Sequence, residues 1–236
     1  MRRLVFIPLC VMAATSVEAE PHAHMQSDPL LAKLMIDRLE VRDVEGPNPV
    51  KWDIQGWLGG DLRKLWLKSE GRYVDGETAA AELQVLYDRA VSPYWNVQAG
   101  WRGDLEPDPQ RDWFTMGLRG LAPYFIDLDV SLFFGEGGRS ALRIKADYEW
   151  KLARRWILSP DLEANAYGED DAARGTGSGL SDAQIGLRLR YQVTRHISPY
   201  VGVEGRRRFG ATEDFVRTSG KRADNAWWLA GVSVWY

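Results

Sequence analysis

The chain has 236 residues, with Lys+Arg 30 against Asp+Glu 33, a hydrophobic fraction of 45%, and heavy aromatic use at Trp 11, Tyr 9 and Phe 7. So much apolar surface excludes a disordered chain, and a mean hydropathy of −0.35 excludes a bundle of membrane helices, each of which needs about 20 apolar residues in a row. The near balance of charge excludes the clustered basic excess of a nucleic-acid-binding protein.

Taken in chain order, the first element is a secretory signal. Arg2 and Arg3 form a positive start, Leu4 to Val17 is a mostly apolar run, and Val17-Glu18-Ala19 places small residues where a signal peptidase cuts. Residues 1–19 are therefore expected to be removed, and with them the single cysteine, Cys10, so that no disulfide holds the mature chain. Residues 20–34, with Pro21, Pro29 and polar fill, read as a flexible lead-in.

From residue 35 to 236 a two-residue period dominates. Leu142, Ile144, Ala146, Tyr148 and Trp150 alternate with Arg143, Lys145, Asp147 and Glu149, one face apolar and the other charged. Ile126 to Phe134 alternates in the same way with Asp127, Asp129 and Ser131, and Ile185 to Val193 with Arg188 and Arg190. The pattern predicts about twelve strands, near 35–43, 50–59, 62–73, 78–90, 94–103, 111–121, 124–134, 139–151, 155–167, 180–193, 197–209 and 224–236. Most are longer than the strands of a soluble sheet and match what a tilted strand needs to cross a bilayer.

Connections alternate in character. Those around 45–49, 104–112, 168–179 and 210–222 are longer and acidic, whereas those at 59–61, 92–94, 122–124, 153–155 and 195–199 are tight. Long loops at one end and short turns at the other mark an antiparallel outer-membrane β-barrel, and an even strand count puts both termini at the periplasmic end. A soluble sandwich or lipocalin-like barrel shows the same alternation with the apolar face turned inward. Strand length, the closing pair Trp235-Tyr236 and tryptophan near strand ends favour the membrane. Trp52, Trp95, Trp101, Trp113, Trp150, Trp156 and Trp228 are expected on the lipid face as girdles, and Trp57, Trp66, Trp227 and Trp235 on the inner face.

In a membrane barrel the charged face lines the lumen, where acids and bases pair and fill the space or line a path for ions. The inward carboxylates Asp53, Asp127, Asp129 and Glu204 are candidate weak sites for a passing cation. His22, His24 and Met25, directly after the cleavage site, carry imidazole and thioether donors that suit copper. An alternative is a lipid hydrolase using His196 and Ser198, although no orienting third group can be assigned. Another is a structural barrel with a closed lumen.

Several blocks, in order, resemble the copper resistance protein B family of outer-membrane proteins. They are Trp52-Asp-Ile-Gln-Gly-Trp-Leu-Gly-Gly60, Leu65-Trp-Leu-Lys-Ser-Glu-Gly71, Gln84-Val-Leu-Tyr-Asp-Arg-Ala90, Pro93-Tyr-Trp-Asn-Val-Gln-Ala-Gly100, Arg111-Asp-Trp113, Gly120-Leu-Ala-Pro-Tyr-Phe125, Ser198-Pro-Tyr-Val-Gly-Val203 and Ala230-Gly-Val-Ser-Val-Trp235. The resemblance implies a non-enzymatic barrel in the outer membrane, in contact with its lipids, that acts in copper tolerance alongside periplasmic copper-handling proteins. Many members carry a long Met- and His-rich stretch before the barrel. Here only His22, His24 and Met25 stand in its place, and the resemblance implies copper as their ligand.

Overall fold

The computed structural model describes residues 29–44, 46–220 and 222–236. The expected signal segment and His22, His24 and Met25 lie outside these residues. Within them the two-residue period becomes strand almost throughout: β1 (Leu31–Arg42), β2 (Val50–Gly59), β3 (Arg63–Val74), β4 (Glu77–Ser92), β5 (Trp95–Glu106), β6 (Arg111–Ala122), β7 (Ile126–Gly135), β8 (Ser140–Asp147), β9 (Trp150–Lys151), β10 (Trp156–Tyr167), β11 (Gly179–Tyr191), β12 (Ile197–Arg208) and β13 (Asp224–Trp235).

Neighbouring strands pair antiparallel, β10 pairs with β11, and β13 pairs with β1, so the sheet closes on itself. β8 and β9 are two parts of one stave. Both lie on β10 in a single register, Asp161 opposite Asp147 and Leu158 opposite Trp150, with a break at Tyr148 and Glu149. The wall therefore has twelve staves. Closure gives each strand two partners, which is how a sheet satisfies its backbone where no water is available.

The first strand starts at Leu31, inside the stretch expected to be a flexible lead-in. Its early residues are needed for the seam: the Leu34 amide donates to the Tyr236 carbonyl at 3.0 Å, and the Tyr236 amide donates back at 2.9 Å. A bulge between Ile36 and Arg38 shifts the β1 register, so the residues on either side of it follow opposite parity.

The distribution of side chains settles which face is which. Leu65, Leu67, Tyr87, Phe114, Met116, Leu132, Ile185 and Val201 are exposed on the outer wall, and Ile185 reaches 64%. Their neighbours of opposite parity, including Glu40, Asp88, Arg102, Arg188 and Glu204, are buried. A soluble barrel would show the reverse. This is an inside-out wall suited to lipid.

Tryptophans mark its two rims. Trp52, Trp101 and Trp228 sit toward the end with the long loops, and Trp95, Trp150 and Trp156 toward the end with the chain termini. Trp113 does not belong with them. Its ring is buried inside the barrel, packs with Phe133 and Ala141, and its Nε1 donates to Asp104 Oδ2 at 3.0 Å. The outer face of β6 is set by Phe114, Met116 and Leu118, and that parity sends Trp113 inward.

Loop lengths alternate less cleanly than the sequence implied. The turn between β3 and β4 lies at the long-loop end, yet it is only Asp75-Gly76, both at positive φ (50° and 86°), the geometry of a tight hairpin. In the last connection, expected to be a loop, Gly210–Thr218 forms a helix, α1. Thr212 Oγ1 anchors it, accepting from the Gly177 amide at 2.7 Å and lying 2.9 Å from Ser181 Oγ.

Candidate functional site

Among the described residues, two cavities lie in the lumen. One, of about 380 Å³, lies toward the long loops and is lined by residues such as Lys51, Arg72, Arg143 and Arg206. The other, of about 560 Å³, lies toward the termini and is lined by Asp37, Asp53, Asp127, Asp129 and the bases Arg38, Lys68, Arg119 and Lys145. Glu70 borders both.

Between the cavities stands a belt of ion pairs. Arg38, Glu40 and Arg42 alternate along β1, and a two-residue period turns all three inward. Arg188 of β11 is fully buried. It donates from Nε to Glu40 Oε2 at 3.2 Å, from Nη2 to Glu204 Oε2 at 2.8 Å, and from Nη1 to Asp161. Arg42 Nη2 holds the same two glutamates, with Glu40 Oε1 at 2.9 Å and Glu204 Oε1 at 2.8 Å. Tyr200 donates to Glu40 Oε2 at 3.2 Å, and Arg38 joins Asp147 and Asp161 at 3.3 and 3.4 Å.

The facing wall carries a second set of pairs. Glu82 accepts from Arg143 and forms an ion pair with Arg102, each at 2.9 Å, while Lys145 pairs with Glu70 and Lys68 with Asp129 at 3.1 Å. The guanidinium carbons of Arg102 and Arg143 lie 4.3 and 5.5 Å from the Phe133 ring centre. Charges this deep are tolerable because each faces an opposite charge and further donors. Removing one partner would leave the other stranded.

The four candidate carboxylates are divided by this architecture. Asp53, Asp127 and Asp129 come together in the cavity near the termini, and Glu204 stands in the belt, bordering neither cavity. Their commitments differ as well. Asp129 accepts from Lys68 and from Ser131 Oγ at 2.8 Å. Asp127 is exposed, with Arg119 Nε 3.9 Å away. Asp53 makes no ion pair within 4.0 Å among the described residues.

Asp37, Glu70, Asp147 and Glu149 also line that cavity. Asp147 was legible from alternation, but Asp37, which accepts from Gln55, was not, because the bulge beside it breaks the parity. Two acids of the long-loop end are engaged. Asp171 pairs with Arg111 at 3.0 Å, and Asp170 accepts from the Ser178 amide at 2.5 Å, which holds its carboxyl below the usual range. Among the described residues no group of three or more His, Cys, Asp or Glu is arranged to hold a metal ion.

His196 and Ser198 do not meet. Ser198 Oγ is buried in the lumen without a partner, whereas His196 sits at the rim, its Nδ1 2.8 Å from the Trp235 carbonyl and its ring against Tyr236. Nucleophilic chemistry needs base and nucleophile within hydrogen-bond reach. This geometry does not supply it.

A closed antiparallel wall, apolar outside and charged within, defines an outer-membrane β-barrel. Solved barrels show the same fold: the NanC porin, at a TM-score of 0.56 and 14% identity over 85% of this chain and 98% of that one, and the KdgM porin, at 0.52 and 14% over 86% and 98%. The chain belongs to the copper resistance protein B family, whose profile, described as copper resistance protein B precursor, matches residues 30–236. Copper resistance protein B of Escherichia coli is 40% identical over 203 residues, 86% of this chain and 69% of that one. A copper resistance protein B homolog of Pseudomonas syringae pv. tomato (strain ATCC BAA-871 / DC3000) is 41% identical over 200 residues, 85% and 68% of the two chains. Family membership supports a role in copper resistance.

Proposed function

We propose that this protein serves copper resistance by binding copper ions and passing them through its lumen. The observation that carries the reading is the pair of uncommitted carboxylates, Asp53 and Asp127, in the cavity near the termini. Each offers oxygen ligands to a cation without first having to break a short ion pair. Oxygen donors suit Cu(II) better than Cu(I), so the ion in transit is Cu(II). Asp129 and Glu204 hold the wall together and become ligands only when Lys68, or Arg42 and Arg188, let go.

His22, His24 and Met25 supply softer donors ahead of the barrel. Both termini face the periplasm in this reading, where copper-handling proteins exchange the ion with the cavity, and the outer wall contacts outer-membrane lipid. The chemistry assigned to the protein is transport, with no bond made or broken.

The belt favours a second reading, a barrel whose lumen stays closed. One experiment separates the two: Cu(II) entry into liposomes holding the purified full-length chain, compared with Asp53→Asn/Asp127→Asn and with empty liposomes. Transport predicts entry above the empty control and a severalfold loss in the double variant. Entry no faster than in empty liposomes leaves the closed barrel, and equal entry in native and variant proteins removes the two aspartates from the path.

A further inference from the structure

The cavity toward the long loops carries a feature of the opposite sign. Arg72 of β3, Lys51 of β2 and Arg206 of β12 all turn toward it. Lys51 and Arg72 are direct register partners, and β1 and β13 complete the arc from β2 to β12. Arg42 of β1 lies on this arc too, but Glu40 and Glu204 already hold it.

The other cations are not so matched. Arg72 Nε is buried without a hydrogen-bond partner, and the charged groups acting on Arg72 are the guanidiniums of Arg206, Arg42 and Arg208, with no carboxylate among them. Arg206 Nε is likewise buried and unpartnered, since Asp182 stands 3.8 Å away, beyond hydrogen-bond reach. Lys51 makes no ion pair within 4.0 Å among the described residues. The acids acting on it are Glu163, which accepts from Asn165 at 3.2 Å, and Glu204, which is held by Arg42 and Arg188.

Buried donors are nearly always satisfied, and unpaired like charges on adjacent strands repel. Elsewhere in this lumen Arg38, Lys68, Arg102, Arg143 and Arg188 each stand within 3.3 Å of a carboxylate oxygen. We infer that Arg72, Arg206 and Lys51 form a binding site for a small oxyanion, a phosphate, sulfate or carboxylate, held in the cavity by the two guanidiniums and the ammonium. Guanidinium forks match such oxygens in pairs, and the ammonium adds a point charge. The site faces the lumen, so its occupant is a free solute rather than a headgroup held in the lipid around the wall.

The test is calorimetric titration of the purified full-length barrel, in a nonionic detergent free of lipopolysaccharide, with sodium phosphate and in parallel sodium sulfate and acetate. Native protein should bind at least one of them saturably. Each guanidinium removed should weaken binding by about tenfold, so Arg72→Gln falls once and Arg72→Gln/Arg206→Gln twice. Arg72→Lys should lie between native and Arg72→Gln. Lys151→Gln, in the other cavity, should bind as native does. No saturable binding by native protein, equal binding by the double variant, or an equal loss in Lys151→Gln would each overturn the assignment. The copper experiment above can fail without touching this one.

Discussion

Replacing Arg188 by leucine tests whether the belt holds the barrel together. The guanidinium is 0% exposed and serves three carboxylates, Glu40, Glu204 and Asp161. Without it, Glu40 and Glu204 must share Arg42, and Asp161 must share Arg38 with Asp147. Breaking a buried ion pair by removing one partner costs about 3–5 kcal/mol, because the abandoned charge stays in a poor solvent. Arg188→Lys keeps the charge but loses the fork that reaches all three acids, so its cost should fall to about 1.5–3 kcal/mol, that of a charge-assisted hydrogen bond. The assay is urea unfolding of the barrel in lipid vesicles, followed by tryptophan fluorescence and repeated for native, lysine and leucine proteins. A leucine variant within about 1 kcal/mol of native would refute the reasoning, since that is the value of a solvent-screened surface pair.

Two smaller perturbations probe the wall itself. Gly100→Ala should destabilise by about 1–3 kcal/mol, because a Cβ there would stand 2.0 Å from the Val85 carbonyl oxygen and 2.9 Å from Leu86 Cα on the paired strand. Gly205→Ala, whose nearest neighbour would be 4.0 Å away, should change stability by no more than about 0.5 kcal/mol, and urea midpoints at unchanged slope compare the two. Trp113→Phe removes the bond to Asp104 while Arg102 still holds that carboxylate at 2.8 Å, so a loss of about 1 kcal/mol is expected on the same scale.

The staves and their inward and outward faces were written in the alternation of Ile126 to Phe134 or Leu142 to Ala146, since a two-residue period is set by backbone geometry alone. Trp113 was legible too. Phe114, Met116 and Leu118 define the outer face of β6, but tryptophan's preference for girdles masked the parity. Partnership was out of reach. Nothing near Glu204 in sequence announces Arg42, which lies 162 positions away and meets it only because β13 intervenes between β1 and β12. The same holds for the cations of β2, β3 and β12, whose shared cavity follows from closure. Asp37 escaped because a bulge resets the period beside it. Local physics wrote the wall, and the ring order decided what the lumen contains.

The seam between β1 and β13 also governs how such a barrel comes into being. Leu34 and Tyr236 exchange hydrogen bonds across almost the entire described chain, the longest loop this fold can ask to close. Contacts of that span reward the chain only after their closure entropy has been met, so this ladder forms late and slowly. Until it does, two long strands carry open rows of amides and carbonyls, templates onto which any extended segment could add. The vulnerable species in the life of this protein is the nearly finished one, a curled sheet one ladder short of a cylinder.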